Sequence, residues 1–213
     1  MKKLLPYLFL LVSTLVFAQQ ETVADDYFLL QNDRKLPRKG SYTALAFQFL
    51  SAKTEQDFVK KNRFDLGVQV VSGYQFNQFI AVGGGIGVDD YDETLMPIFG
   101  ELRGYLVNSK NLNLSNAETL TSRRFPMSYS VQIGYNFPVE DWVSKQEGAK
   151  IKGGLLVYPS IGMLFPTRNG ATFQVDLGYK VQRFQREQQD WWGNFVVDKV
   201  TMKSLALRMG VGF

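Results

Sequence analysis

The chain has 213 residues, 24 Lys and Arg against 20 Asp and Glu, a net charge of +4, and neither cysteine nor histidine. Without cysteine there is no disulfide framework and no thiol nucleophile; without histidine the usual general base and the common zinc ligand are missing. No dense basic stripe with interleaved aromatics supports nucleic-acid binding, and the length suits one domain.

Residues 1–18 read as a secretory signal peptide. Lys2 and Lys3 supply the positive start, and Leu4 to Phe17 form an apolar run interrupted only by Pro6, Ser13 and Thr14. Val16-Phe17-Ala18 then offers small or modest side chains for cleavage. The run is too short to span a bilayer comfortably, and no later run approaches the length of a membrane helix. Residues 19–39 have little pattern and are expected to form a periplasmic N-terminal extension, with one helical turn near Phe28 to Leu30.

Residues 40–213 alternate apolar and polar side chains, the period of strands with two different faces. Tyr42 to Leu50 sets Thr43, Leu45, Phe47 and Phe49 against Ala44, Ala46 and Gln48. Phe64 to Phe76 sets Phe64, Leu66, Val68, Val70, Tyr74 and Phe76 against Asp65, Gly67, Gln69, Val71, Gly73 and Gln75. A very short turn at Asn77-Gln78 returns the chain through Phe79 to Val88. Leu95 to Val107 faces Ile98, Leu102 and Leu106 one way and Glu101, Arg103 and Tyr105 the other. Residues 108–124 are polar and loop-like. Met127 to Phe137 alternates cleanly, 139–152 is charged and reads as a loop, and Gly154 to Phe165 is a strand. Pro166 to Gly170 is a turn by composition, followed by a strand from Thr172 to Gln182. A last strand, from Ser204 to Phe213, carries Leu205, Leu207, Met209, Val211 and Phe213 on one face. About eight strands result, enough to close a small barrel.

A soluble barrel turns its apolar face inward; a membrane barrel turns it to lipid. The apolar faces here run the whole length of each strand, with aromatics towards the ends as in interfacial girdles. The opposite faces hold Gly, Ala, Ser and Gln, with few charges and in both signs. Asp65, Glu101, Arg103, Asp176, Lys180 and Arg208 are therefore candidates for compensating ion pairs in a narrow lumen. The expected fold is all-β, a closed antiparallel up-and-down transmembrane barrel. The 108–124 connection is long for a periplasmic turn, which leaves the strand order there open.

No catalytic, cofactor or metal site is expected. Asp89, Asp90, Asp92 and Glu93 read as a solvated acidic loop tip rather than a calcium site, since their spacing matches no calcium-binding loop. Lys60, Lys61 and Arg63 read as a solvated loop. Gly83 to Gly87 lacks the Lys-Ser/Thr of a phosphate cradle and reads as a small-residue packing strip. Trp191-Trp192 suits anchoring at a membrane surface.

The last strand resembles that of the outer-membrane β-barrel families of Gram-negative bacteria, through Leu205, Leu207, Met209, Val211 and Phe213. Pro97 to Tyr105 looks like a fourth-strand segment of small OmpA-like or "porin family" barrels. The resemblance implies an outer-membrane location, contact with outer-membrane lipid, and recognition of Leu207, Met209, Val211 and Phe213 by the barrel-assembly machinery. It also argues against the histidine-dependent enzymes of that membrane. The function expected is structural or surface-interacting. The alternatives are a narrow channel or carrier for a small solute and a soluble periplasmic ligand-binding barrel.

Overall fold

The structure is a computed structural model that describes residues 27–30, 34–37, 39–56, 59–90, 94–106, 126–139, 150–189 and 195–212. Two short strands, β1 (Tyr27–Leu30) and β2 (Arg34–Pro37), pair antiparallel ahead of the main sheet. Extended backbone thus replaces the helical turn expected near Phe28 to Leu30. Pro37 biases Leu36 towards an extended conformation, and the segment before it takes the free backbone as a partner.

Among the described residues, eight strands then close a ring. They are β3 (Gly40–Gln56), β4 (Val59–Gln75), β5 (Ala81–Asp90), β6 (Thr94–Leu106), β7 (Met127–Pro138), β9 (Gly154–Pro166), β10 (Thr172–Gln189) and β11 (Phe195–Gly212). A short β8 (Lys150–Lys152) prolongs the line of β9 along β10. The hydrogen-bonded order is β11-β3-β4-β5-β6-β7-β9-β10, and β10 pairs back onto β11. Every pairing in the ring is antiparallel, and the β11–β3 pairing closes it. A closed ring leaves no open sheet edge around its girth.

The alternation decides the faces. On β7, Met127, Val131, Ile133, Tyr135 and Phe137 are exposed on the outside, while Ser128, Ser130, Gln132 and Asn136 are buried inside. On β11, Leu205, Leu207 and Met209 point out, and Ser204, Ala206 and Arg208 point in. The same division holds on β3, β4 and β10, with Phe64 as much as 87 % exposed.

Two tight turns mark one end of the barrel. Asn77 builds the first, its Oδ1 accepting from the backbone N–H of Phe79 at 2.8 Å and of Ile80 at 2.9 Å. Such side-chain mimicry of a backbone turn is why Asn suits that position. In the second, Thr167 donates to the Ala171 carbonyl from both its N–H and its hydroxyl, and Gly170 takes φ 87°, a left-handed value that favours glycine. The β6–β7 connection belongs to this end as well. Its residues 107–125 lie outside the described ones, but Leu106 stands directly opposite Met127, so the long connection does not alter the strand order.

Four neighbouring strands are much longer than the rest. β3 and β4 have 17 residues each and β10 and β11 have 18, against 10 in β5 and 12 in β7. A tilted membrane crossing needs roughly 9–11 residues. The wall is therefore taller on the β10-β11-β3-β4 side, at the end opposite the tight turns. Lys60, Lys61 and Arg63 belong to this extension of β4, not to a loop. Residues 150–152 likewise form β8 inside a stretch expected to be loop. In both places cross-strand backbone pairing holds a segment extended although its side chains do not alternate. No helix among the described residues is long and apolar enough to cross a membrane.

Candidate functional site: a buried ion network in the lumen

The inward faces of β6, β7, β9, β10 and β11 converge on Arg208, which is only 4 % exposed. Its Nε and Nη2 each lie 2.7 Å from Asp176 Oδ2, and its Nη1 donates to Glu101 Oε2 at 3.0 Å. Nη2 also donates to the Ser130 hydroxyl at 2.9 Å, and the guanidinium sits 5.5 Å from the Tyr158 ring centroid. One cation thus bridges two carboxylates. Charge-assisted bonds of this kind are the strong ones, and here each partner is further tied.

Asp176 accepts from the Ser128 hydroxyl at 3.0 Å and from Gln174 Nε2 at 2.7 Å. Glu101 Oε2 accepts from Gln132 Nε2 at 2.6 Å. Arg103, half-buried, lies 3.6 Å from Glu101 Oε1, donates to Gln174 Oε1 at 2.6 Å and stacks 4.7 Å from the Tyr42 ring centroid. The cross-strand register explains the grouping: Asp176 stands opposite Arg208, Glu101 opposite Gln132 and Arg103 opposite Ser130.

A second layer lies nearer the tall end. Lys180, 2 % exposed, has its Nζ 2.6 Å from Asp89 Oδ2 and 2.8 Å from Gln48 Oε1. Gln182 donates to the same Asp89 oxygen at 2.8 Å and to Asn136 Oδ1 at 3.2 Å, and Gln48 donates to Gln69 at 3.1 Å. Asp89 corrects the sequence reading. It is an inward residue of β5 with a buried lysine partner, not part of a solvated loop tip. Its exposed neighbour Asp90 ends the strand, while residues 91–93 lie outside the described ones. Strand parity from Ile86 and Val88 was the available signal; the composition around Asp89 masked it.

Of the six candidate lumen charges, Glu101, Arg103, Asp176 and Arg208 form one cluster and Lys180 belongs to the second. Asp65 is buried on the inward face of β4. Leu207 and Met209 of the candidate assembly signal are exposed on the outside, Val211 is half-buried, and Phe213 lies outside the described residues, as do Trp191 and Trp192.

The lumen also holds apolar groups that the sequence reading gave to no site. Leu50, Leu95, Phe184 and Met202 cluster beyond the lysine layer towards the tall end, and Ala206 and Tyr158 carry the cluster down to Arg208. Below the lysine layer, Phe99 fills the width that glycines leave: a Cβ on Gly85 would fall 2.6 Å from its ring. Among the described residues a small cavity of ≈ 10 Å³ is lined by Gln69, Glu101, Arg103 and Arg208 among others, room for about one water. A larger one of ≈ 50 Å³ opens beside Tyr105, Leu164 and Gly170 at the tight-turn end. Among the described residues no group of acidic side chains is arranged to hold a metal ion.

No family model matches the chain, and no curated protein matches it. Solved structures similar in shape include two that are named for outer-membrane or surface proteins. Neisserial surface protein A (NspA) is 14 % identical, with 82 % of this chain and 97 % of that one covered and a TM-score of 0.46. The outer membrane protein OprG from Pseudomonas aeruginosa is 13 % identical, with 83 % and 97 % covered and a TM-score of 0.47. Likenesses this distant say nothing about function.

Proposed function

We propose that the chain is an integral outer-membrane β-barrel protein with a plugged lumen and a structural or surface-interaction role. One observation carries the reading: the barrel is inverted, with ion pairs buried at its axis and an apolar band around its girth. In water such a band far exceeds the apolar patch a soluble monomer tolerates. In a bilayer it meets acyl chains, and the closed ladder leaves no backbone group unsatisfied in hydrocarbon. A soluble ligand-binding barrel needs the opposite arrangement.

Residues 1–18 act as the export signal in this reading, and 19–39 lie in the periplasm with the tight turns. The taller wall then faces outward. Outer-membrane lipid is the solvent of the band, and the barrel-assembly machinery reads the last strand. The narrower OmpA-like assignment rests on the Pro97 to Tyr105 segment, which forms most of β6. No catalysis is assigned.

The plug favours a structural role over conduction. Two layers of buried ion pairs and an apolar cluster occupy the described lumen, and the cavity beside Glu101 and Arg208 has room for about one water. Protein refolded into planar bilayers is therefore expected to show no discrete conductance steps, alongside heat-modifiable gel migration that reports insertion. Regular steps from inserted protein would contradict the plugged lumen and favour a channel.

A further inference from the structure

The tall side of the barrel carries a row of cations just beyond its apolar band. Lys203 on β11, Arg183 on β10 and Lys152 on β8 are all exposed. The ladders set them side by side: Arg183 stands opposite Thr201, two residues from Lys203, and Lys152 stands opposite Gln185, two residues from Arg183. Diagonal neighbours of this kind are roughly 7–8 Å apart, so the charges form a continuous diagonal. On the fourth strand, Lys53 stands directly opposite Lys203.

That last pairing is the informative one. Like charges directly opposite each other destabilise a sheet. The other charged pairs in these ladders are of opposite sign by register: Glu55 with Lys60, Arg186 with Asp198, Glu187 with Lys150 and Asp176 with Arg208. By register, Lys203 and Lys53 depart from that pattern, two like charges at one position of the ladder. The row also has a fixed height. The next outward residue on β11 is the exposed Leu205, and Arg183 lies one strand step beyond Val181 and two beyond the exposed Tyr179. On the shorter side, β5 ends instead on the exposed Asp90.

We propose that this row binds the phosphate groups of anionic lipid headgroups in the outer leaflet. The inference rests on the membrane reading above. Arginine grips phosphate through a planar fork and lysine as a point charge. The apolar residues directly below suit the acyl chains of the same molecule, which a free phosphate lacks.

The test measures binding of phosphatidic acid to full-length protein refolded in neutral detergent, with phosphatidylcholine and inorganic phosphate as the other probes. The combined variant Arg183→Gln with Lys203→Gln is expected to bind phosphatidic acid on the order of twenty-fold more weakly, about five-fold for each basic side chain removed from an anionic surface. The charge-conserving pair Arg183→Lys with Lys203→Arg should bind like the unaltered protein. Equal binding of phosphatidic acid by the Gln variant, no preference over phosphatidylcholine, or equal competition by inorganic phosphate would each overturn the inference. Heat-modifiable migration reports insertion separately: a protein that inserts without lipid preference fails only this inference, while one that never inserts fails the membrane reading too.

Discussion

Arg208→Ala is expected to destabilise the refolded barrel by about 3–5 kcal/mol, the cost of stripping a buried ion set of one partner. The change leaves Glu101 and Asp176 facing each other across the lumen, both nearly inaccessible to water, with the guanidinium that bridges them gone. Arg103 cannot take its place, because it already engages Gln174 and lies 3.6 Å from the other Glu101 oxygen. Denaturant unfolding in lipid vesicles measures the loss. The triple change Arg208→Met, Glu101→Gln and Asp176→Asn should lose much less, since neutral groups of similar volume often replace buried ions at little cost. A single-variant loss under about 1 kcal/mol would mean that water reaches the network, as at exposed ion pairs.

Ile133→Arg is the second large effect expected, and it separates membrane from water. Ile133 is 58 % exposed on the outward face of β7, between Val131 and Tyr135 near the middle of the apolar band. An arginine at that depth on the lipid face of a barrel costs about 2–4 kcal/mol. On a soluble protein the same exposed substitution would fall within about 0.5 kcal/mol of neutral. The same vesicle unfolding decides: a loss of the larger size is expected, and a neutral result would place the band in water.

Much of the fold was legible because the two faces of each strand differ in chemistry. β7 shows why: Ser128, Ser130, Gln132 and Asn136 share one parity and Met127, Val131, Ile133 and Phe137 the other, so one strand reveals its own orientation. Where both faces are polar that signal vanishes, as in the outer reaches of β3, β4 and β10; the start of β11 hides it differently, with apolar residues such as Val196 and Val197 on both parities. Backbone pairing across the ladder, not alternation, holds those segments extended.

The site was harder to read, for a different reason. Glu101 and Arg103 share a face two residues apart, which the chain displays locally. Asp89 does not announce itself. Its partner Lys180 is 91 residues away, and its acidic neighbours in sequence invite a loop reading. Leu50, Phe184 and Met202 have no place in the sequence reading: apolar residues on polar parity, they fill the lumen rather than the lipid face. Which inward residues meet across a barrel depends on strand stagger, and no single strand carries that information.

The orientation of the outward face is open to direct measurement, because the chain contains no cysteine and Ile133→Cys gives one unique labelling site. A nitroxide attached there, in protein refolded into vesicles, reports what surrounds it through collisions with paramagnetic probes. Contact with acyl chains requires strong relaxation by oxygen, which concentrates in hydrocarbon, and little by a water-soluble nickel complex. Strong relaxation by nickel would put the band in water, and shielding from both probes would bury it in a protein core.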